Sequence, residues 1–373
     1  MTISMVLTLG GLVAMGGGSP EGIPGDHRVD ELGSAMDPAV MDGVEGEVIR
    51  DRYAGPHGER EYRLFLPEES EGAPLLVMLH GCTQDAEDLA RGTRMDELAG
   101  RRGIAVLYPE QDPAAHPLRC WNWYEPAHQG REAGEPALLA GMIREVAERY
   151  GLGVDPASEG VVVAGISAGG AMATILGLTH PELVRGVASH SGVAYGVARG
   201  LAEATAALTG ALEPDRDALV QRAIGALDAG GIEFADPQAD PLSGIPRLMV
   251  IHGDEDEIVA PVNARWLLGQ WTGLVEARTG IRPGLRDFSP LPEEDWSYQR
   301  LELEVPAEAG RPDPVDGTSA PMARILQLRR LGHAWSGGDE AGSFTEPRGP
   351  DASGWILDFF FPTEASASPG GGS

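Results

Sequence analysis

The chain has 373 residues, of which 42% are hydrophobic and 23% are charged, as expected for a globular protein with one large α/β domain or two medium ones. Its formal net charge is −29 and all 28 basic residues are arginine. This charge argues against a nucleic-acid-binding protein, because phosphate would be repelled. Two cysteines, Cys82 and Cys120, do not make a disulfide-rich miniature scaffold or a zinc site.

Two terminal segments are predicted to lie outside the folded domain. Residues 1–45 contain an apolar run over residues 5–15 that has the length of the hydrophobic region of a secretory signal, but no basic residue precedes it. The run is too short to span a bilayer, and no other segment is predicted to cross one. We expect residues 1–45 to be a disordered lead-in or an imperfect signal segment, and residues 363–373 to be a flexible tail.

Apolar runs alternate with amphipathic stretches between these ends, over residues 46–362. Alternating and continuous apolar runs predict strands over residues 61–67, 74–80, 103–109, 160–166, 184–192, 245–253 and 323–333. Helical spacing predicts helices over residues 86–100, 135–151, 168–180 and 352–361. This order predicts an α/β fold in which helices cover both faces of a mainly parallel sheet.

Two long stretches interrupt the alternation. Residues 197–243 are rich in alanine and contain helical pieces, whereas residues 276–320 are rich in proline and glycine. Both are longer than ordinary connections between elements. We expect them to be excursions over one end of the sheet, where they would shape a substrate site, with surface decoration as the alternative.

The pattern Gly-x-Ser-x-Gly at residues 165–169 places Ser167 between a predicted strand and a predicted helix. A serine hydroxyl becomes a nucleophile only with a base and an oxyanion site close by. Glycines tolerate unusual dihedral angles, so such a turn can expose the serine oxygen above the sheet, beside the N–H groups that begin the helix. The context predicts a nucleophile, and the alternative is an ordinary strand-to-helix loop.

A histidine C-terminal to this serine would serve as its base. His333 follows the last predicted strand and precedes a Gly-rich loop, which places it at the same edge of the sheet as Ser167. Other histidines precede the core, lie in an early loop, or follow the serine too closely to turn back towards it. We therefore predict His333 as the base.

An acid between serine and histidine would orient the imidazole and stabilise its charged form. Residues 254–257, which directly follow a predicted strand, are all acidic. Asp256 is favoured by its spacing from Gly253 and by the apolar pair Ile258 and Val259, which we expect to pack beneath the loop.

The oxyanion of an acyl-transfer reaction needs two backbone donors. One is predicted to be the amide of Ala168, directly after the serine. The other is predicted to be the amide of Cys82, because Gly81 allows a tight turn after the apolar strand at 74–80.

These features resemble the α/β-hydrolase superfamily and, more narrowly, the polyhydroxybutyrate (PHB) depolymerase family of secreted esterases, which also holds feruloyl and acetylxylan esterases. The resembling stretches span residues 75–338 and are LHGCTQDAEDLA, VLYPEQ, RCWNWYEPAHQGR, GISAGGAMA, IHGDEDEIVAPVNA and GHAWSGG. The pair HGCTQ and CWNW is more specific than Gly-x-Ser-x-Gly. The resemblance implies Ser167 as nucleophile, Asp256 as orienting acid, His333 as base and a disulfide between Cys82 and Cys120. Such a bridge fits an oxidising, extracellular or periplasmic compartment.

The resulting hypothesis is a serine esterase that needs no metal or organic cofactor and acts on 3-hydroxybutyrate polyester or oligomers. The alternative substrates are feruloyl or acetyl esters of plant polysaccharide, and a peptidase or a non-catalytic binding module are more distant alternatives. No polymer-binding module is recognised, which favours soluble oligomers or small esters. Four aromatic residues flank the candidate site and could form an apolar substrate groove, although core packing is expected for at least two of them: Trp121, Trp123, Tyr124 and Trp335.

Overall fold

The computed structural model describes residues 35–41, 44–153, 160–231, 242–293, 296–305 and 321–362. The apolar run at 5–15 and the predicted tail at 363–373 lie outside the described residues, as do parts of both predicted excursions.

A single mixed sheet contains twelve of the described strands, in the order β1-β2-β3-β5-β4-β6-β7-β8-β12-β11-β10, with β9 paired to β11. These strands are β1 (Ala35–Met41), β2 (Val44–Gly55), β3 (Gly58–Pro67), β4 (Leu75–Leu79), β5 (Ala105–Pro109), β6 (Val161–Ile166), β7 (Val184–His190), β8 (Arg247–Gly253), β9 (Gly284–Asp287), β10 (Leu291–Glu293), β11 (Trp296–Glu304) and β12 (Ala323–Leu328). A separate short pair joins β13 (Trp335–Ser336) to β14 (Thr345–Glu346).

Eight described α-helices accompany the strands, together with a short 3₁₀ turn at Pro126–His128. They are α1 (Ala86–Thr93), α2 (Met95–Gly100), α3 (Gly134–Arg149), α4 (Ala168–Thr179), α5 (Leu201–Leu208), α6 (Arg216–Ala229), α7 (Val262–Thr279) and α8 (Ala352–Phe360). The prediction of a single helix over residues 86–100 is wrong. Arg94 adopts a left-handed conformation with φ +54° and divides the segment into α1 and α2.

The central strands are apolar on both faces because helices cover both sides. In β4, Leu75, Val77 and Leu79 belong to a first core, whereas Leu76 and Met78 belong to a second. Helices α3, α4, α6 and α7 contribute to the first core, and α1, α2 and α8 to the second. This arrangement confirms the predicted α/β-hydrolase type of architecture and explains why continuous apolar runs marked the strands.

The stretch 276–320 differs most from its prediction. It was expected to cross one end of the sheet, but β11 joins the sheet itself, antiparallel to β12, and β9 and β10 pair with β11. The density of proline and glycine around these short strands concealed the pattern in the sequence. Residues 306–320 lie outside the described residues.

The stretch 197–243 contains the helical pieces that were predicted, α5 and α6, with residues 232–241 outside the description. Helix α6 packs on the helices α7 and α4 in the first core, and Val220 occupies the space left by the missing side chain of Gly273. Its placement as an excursion over one end of the sheet stays a prediction.

Strand β1 lies within the stretch 1–45 that was predicted to be a disordered lead-in, so that prediction is wrong for residues 35–41. The strand is antiparallel to β2 at the edge of the sheet. An edge strand pairs through its backbone groups, which are the same in every sequence. The composition of residues 35–41 therefore did not reveal β1.

Strands β6, β7, β8 and β12 are parallel neighbours, so their carboxyl ends share one edge of the sheet. Ser167 directly follows β6, Asp256 lies three residues beyond β8, and His333 lies five residues beyond β12. Open α/β sheets bind ligands at this edge, and the topology brings the three candidate residues to it.

Candidate active site

The turn between β6 and α4 holds Ser167 in a conformation that few non-glycine residues adopt. Its φ is +59° and its ψ is −121°. Its amide donates a hydrogen bond of 2.9 Å to the carbonyl of His190, which ties the turn to β7. The side chain is partly exposed at the sheet edge. Backbone strain of this kind is typical of functional positions, where the surrounding structure supports it.

The two glycines of the pattern allow α4 to approach the sheet. A Cβ on Gly165 would lie 2.5 Å from the carbonyl carbon of Gly169, and a Cβ on Gly169 would lie 2.0 Å from the carbonyl oxygen of Leu79. Neither glycine has a positive φ; the unusual dihedral angle is on the serine itself. The two glycines are thus required because they allow close packing. The unusual dihedral angles that the sequence analysis expected of them are not observed.

Substitution Gly169→Ala is expected to lower the free energy of unfolding by at least about 3 kcal/mol, because backbone atoms of β4 must move to admit the methyl group. Urea unfolding of both proteins measures the difference. Gly269→Ala is a matched control, because Gly269 lies in α7 with no atom nearer than 3.8 Å to the added carbon. We expect this control to be neutral or slightly stabilising. Equal stability of Gly169→Ala and the wild type would contradict the packing argument.

The acid and the base of the predicted site are in direct contact. His333 Nδ1 lies 2.8 Å from Asp256 Oδ2. Asp256 is buried, with 4% of its surface exposed, and His333 is partly accessible. When Nδ1 carries the proton and donates it to the carboxylate, Nε2 is the basic nitrogen of the ring. The contact joins two loops that are 77 residues apart in the chain.

Backbone amides hold the other oxygen of this carboxylate. Asp256 Oδ1 accepts hydrogen bonds from the amides of Ile258 (3.0 Å) and Val259 (2.8 Å). The expectation that both side chains pack beneath the loop holds for Val259, which is 1% exposed, but is wrong for Ile258, which is 37% exposed. Burial raises the pKa of Asp256, but the hydrogen bond and charge of His333 lower it further, so its pKa lies below the usual value.

Two buried histidines that the sequence analysis did not select support this geometry. His252, on β8, has Nε2 2.8 Å from the carbonyl oxygen of Val259 and 3.6 Å from Asp256 Oδ2. His190, on β7, accepts from the amide of Ser336 at Nε2 (3.4 Å) and stacks on Trp335. His190 therefore connects the turn of the serine, through its carbonyl, with the loop that carries His333. The signal that could have identified both residues is their position at the carboxyl ends of neighbouring parallel strands.

The two predicted oxyanion donors lie at the same edge. Ala168 is the first residue of α4, so its amide has no partner within the helix. Across the described part of the chain, neither this amide nor that of Cys82 donates to another protein group. Gly81 amide donates to Gln84 Oε1 (2.9 Å) and Thr83 amide to the carbonyl of Leu118 (2.6 Å), which fixes the loop on both sides of Cys82.

The predicted disulfide between Cys82 and Cys120 is confirmed, with an S–S distance of 2.03 Å. Buried hydrogen bonds hold the segment that carries Cys120. Glu135, 1% exposed, accepts from the amide of Asn122 (2.7 Å) and from its side chain (2.8 Å), and Gln111 Nε2 donates to the carbonyl of Cys120 (2.9 Å). The bridge therefore attaches the loop of the predicted oxyanion donor to a fixed segment of the first core.

A family model described as "Esterase PHB depolymerase" matches residues 60–285, which is more than half of the chain. The chain belongs to the PHB depolymerase esterase family. This match confirms the resemblance that the sequence motifs indicated, and its range includes Ser167, Asp256 and both cysteines but ends before His333.

Curated relatives of this esterase family member include bacterial and fungal proteins. A poly(3-hydroxyalkanoate) depolymerase C from Paucimonas lemoignei is 31% identical over 201 residues, which cover 54% of this chain and 44% of the relative. A feruloyl esterase B from Thermothelomyces thermophilus is 25% identical over 242 residues, covering 63% of this chain and 76% of the relative. The chain thus spans less than half of the depolymerase's length.

The solved structure of an acetyl xylan esterase from Aspergillus awamori is similar to that of this family member, with a TM-score of 0.58 and 19% sequence identity. The likeness covers 76% of this chain and 93% of that chain. At this identity it shows the fold, and the α/β-hydrolase fold is confirmed.

The aromatic residues predicted to line a groove are distributed differently in this family member. Trp121 and Trp335 are completely or almost completely buried, at 0% and 1% exposure, and each indole N–H is satisfied inside the protein, by the carbonyl of His80 and by Ser353 Oγ. The groove prediction is wrong for these two residues, and core packing accounts for them. Trp123 is also buried at 6%, whereas Tyr124 is partly exposed.

Three buried histidines indicate that the protein loses stability in mild acid. Burial lowers the pKa of His80 and of His180 to about 4, and that of His190 to about 3. Between these values and the pKa of about 6.5 in the unfolded chain, only the unfolded chain binds the protons. Each histidine should therefore remove about 1.4 kcal/mol of stability per pH unit as the pH falls from about 6.5 towards 4. Asp96 acts in the opposite direction, because burial raises its pKa.

Urea unfolding between pH 4.5 and 8 measures this dependence. His180→Asn serves as the matched variant, because His180 lies at the end of α4, away from Ser167, and we expect a smaller slope for it than for the wild type. A slope that is the same in both proteins would count against this explanation.

Within the ranges that the structure describes, no group of three or more His, Cys, Asp or Glu side chains is arranged to hold a metal ion. In the same part of the chain, no helix combines the length and the apolar content that a membrane span requires.

Proposed function

We propose that this protein is a serine ester hydrolase with Ser167 as nucleophile, His333 as general base and Asp256 as orienting acid. The observation that carries the proposal is the hydrogen bond between His333 and buried Asp256, at the sheet edge where the strained turn presents Ser167. Membership of an esterase family supports the same reading.

In the proposed reaction, His333 Nε2 takes the proton of the Ser167 hydroxyl as its oxygen attacks the ester carbonyl. The amides of Cys82 and Ala168 stabilise the oxyanion, and each such donor typically contributes about 3–4 kcal/mol. The alcohol leaves with the proton from His333, and a water activated by the same nitrogen releases the acid. Asp256 remains ionised throughout, because its pKa lies below the usual value.

The proposed substrates are 3-hydroxybutyrate polyester or its oligomers. The supporting observation is the 31% identity to a poly(3-hydroxyalkanoate) depolymerase, a higher identity than that to the feruloyl esterase. A second candidate is the feruloyl or acetyl esters of plant polysaccharide. It is supported by the coverage, since the chain spans 76% of a feruloyl esterase but 44% of the depolymerase.

A substrate panel separates these candidates. We expect hydrolysis of nitrophenyl acetate and butyrate, and a higher kcat/KM for hydroxybutyrate oligomers than for methyl ferulate or acetylated xylan. The reverse order would favour the second candidate. Labelling by a fluorophosphonate, located at Ser167 by peptide mass spectrometry, tests the nucleophile independently of substrate choice. Absence of labelling would contradict the proposal and favour a non-catalytic role.

We also propose that the protein functions in an extracellular or periplasmic compartment. The disulfide between Cys82 and Cys120 supports this, because such bridges persist in oxidising environments.

A further inference from the structure

A cavity of about 290 Å³ lies among the segment that follows the 3₁₀ turn, the segment after β7 and helix α6. Among the residues that the structure describes, twelve line it, including the three arginines Arg131, Arg199 and Arg222 and no aspartate or glutamate. The chain as a whole carries 57 acidic residues and 28 arginines. The charged residues in the described lining are therefore all basic, opposite in sign to the net charge of the protein.

The three arginines differ in whether an acid neutralises them. Arg131 forms a two-pronged ion pair with Glu182, at 2.8 and 2.9 Å. Within the described residues, no carboxylate lies within ion-pair distance of the guanidinium of Arg199 or Arg222. Glu203 accepts from the backbone amide of Arg199 (2.7 Å), and Arg222 Nη1 donates to the carbonyl of Gly196. Arg199 and Arg222, both exposed, are thus two positive charges at the cavity without an ion-paired acid among the described residues.

Internal hydrogen bonds fix the wall between these two arginines. Buried Gln270 bonds both the amide and the carbonyl of Tyr195, each at 3.0 Å. The Tyr195 hydroxyl donates to the carbonyl of Gln129 (2.7 Å). Burial raises the pKa of Tyr195, and the charges of Arg199 and Arg222 oppose this rise, as expected if both guanidinium groups lie near its ring. These hydrogen bonds hold the backbone of this wall in place, and a preformed wall reduces the entropy cost of binding.

Three small residues of α6 also line the cavity, namely exposed Gly225, buried Ala226 and exposed Ala229. Guanidinium groups bind carboxylates through paired hydrogen bonds, and small apolar residues beside them leave room for a short hydrocarbon body. The volume is near the lower end of the range for small-molecule sites, about 300–1,000 Å³. These properties fit an organic acid of a few carbons better than a bare inorganic anion.

We propose that this cavity binds a small organic carboxylate through Arg199 and Arg222. Building on the proposed function, the ligand is a hydroxyalkanoate, either the acid released by hydrolysis or the free-acid end of an oligomer. The cavity is separate from the residues assigned to the ester chemistry, so its ligand binds while Ser167 is occupied.

The test uses the full chain with Ser167 blocked by a fluorophosphonate, so that binding at the reaction centre does not contribute. Titration calorimetry with sodium 3-hydroxybutyrate is expected to show one site. Arg199→Gln and Arg222→Gln should each weaken binding at least about tenfold, since hydrogen bonds to charged groups contribute more than neutral ones. Arg282→Gln is the matched control, because Arg282 is exposed but does not line the cavity. Methyl 3-hydroxybutyrate, which has no charge, should not bind.

Two outcomes of this titration would overturn the proposal. One is affinity for 3-hydroxybutyrate that is unchanged in both cavity variants. The other is binding of inorganic phosphate as tight as that of 3-hydroxybutyrate, which would show a general anion site. Hydrolysis of nitrophenyl acetate by Arg199→Gln and Arg222→Gln should equal that of the wild type. The two proposals can therefore fail separately. The titration tests carboxylate binding at the cavity, and hydrolysis of nitrophenyl acetate tests the esterase assignment.

Kinetics with the unblocked protein distinguish the two sources of the carboxylate. If the cavity holds the acid end of an oligomer, Arg222→Gln raises the KM for hydroxybutyrate trimer several-fold but leaves the KM for its methyl ester unchanged. If it holds the released acid, both KM values stay the same, and added 3-hydroxybutyrate changes the rate of the wild type but not that of the variant. A variant that matches the wild type in all of these measurements would contradict both sources.

Discussion

Replacement of Ser167 by alanine is expected to lower kcat for nitrophenyl butyrate by about 10⁴- to 10⁶-fold, the loss typical of removing a nucleophile that acts together with a base. The hydroxyl is the only group that the proposed mechanism can acylate at this edge. Its removal leaves His333 and Asp256 with their mutual hydrogen bond but without a partner to activate. The expected residual rate comes from binding and from the oxyanion donors alone.

The fold should survive this change. Alanine at position 167 retains a Cβ and therefore the same strained dihedral angles as serine, so we expect thermal unfolding within a few degrees of the wild type. Ser243→Ala is the matched control, because Ser243 is exposed and distant in the chain from the turn, and it should retain full activity. Turnover of Ser167→Ala at a tenth of the wild-type rate or more would refute the assignment of the nucleophile.

Replacement of Asp256 by asparagine is expected to lower kcat by up to about 10⁴-fold with a small change in KM. Asparagine can still accept the amides of Ile258 and Val259 through its oxygen, so the loop is retained. Its NH₂ group would then face His333 Nδ1, where the carboxylate now accepts a hydrogen bond. The imidazole would adopt the other tautomer, with Nε2 protonated and unable to take the proton of the serine.

Glu257→Gln is the matched control for this variant, because Glu257 is the exposed neighbouring acid that the sequence also offered. We expect full activity from it. The pH dependence gives a second readout: the anionic Asp256 stabilises the fold above the pKa of an ordinary aspartate, and this stability is lost as the pH falls through its lowered pKa. Asp256→Asn should therefore be less stable than the wild type at pH 7, with a smaller difference at pH 3. Activity of Asp256→Asn close to that of the wild type would show that another acid orients His333.

Much of the central sheet could be predicted because its strands are covered on both faces. Short continuous apolar runs such as 74–80 and 160–166 predict buried strands in a globular domain. The glycines around Ser167 indicated the turn. Chain order then placed Asp256 and His333 at the edge where the structure finds them bonded.

The remaining features depend on contacts that no local pattern encodes. Strand β11 is partly exposed and pairs with β12 at the open side of the sheet, so it lacks the apolar run of a central strand. Trp121 and Trp335 are close in sequence to the site, but their direction into the core is set by partners 41 and 18 residues away. His190 and His252 are brought to the site by strand pairing, which the local sequence does not show. His190 had been set aside as the base because it follows Ser167 closely in the chain.

The bridge between Cys82 and Cys120 affects how the protein should be prepared. It closes a loop of 38 residues around the predicted oxyanion amide, and the loop-entropy model assigns such a closure about 4 kcal/mol. Batches made in a reducing cytoplasm would contain thiols at both positions and a loop tethered only by weaker contacts. Their specific activity would then vary with redox history even when yield and purity are the same, so thiol titration belongs beside every kinetic measurement.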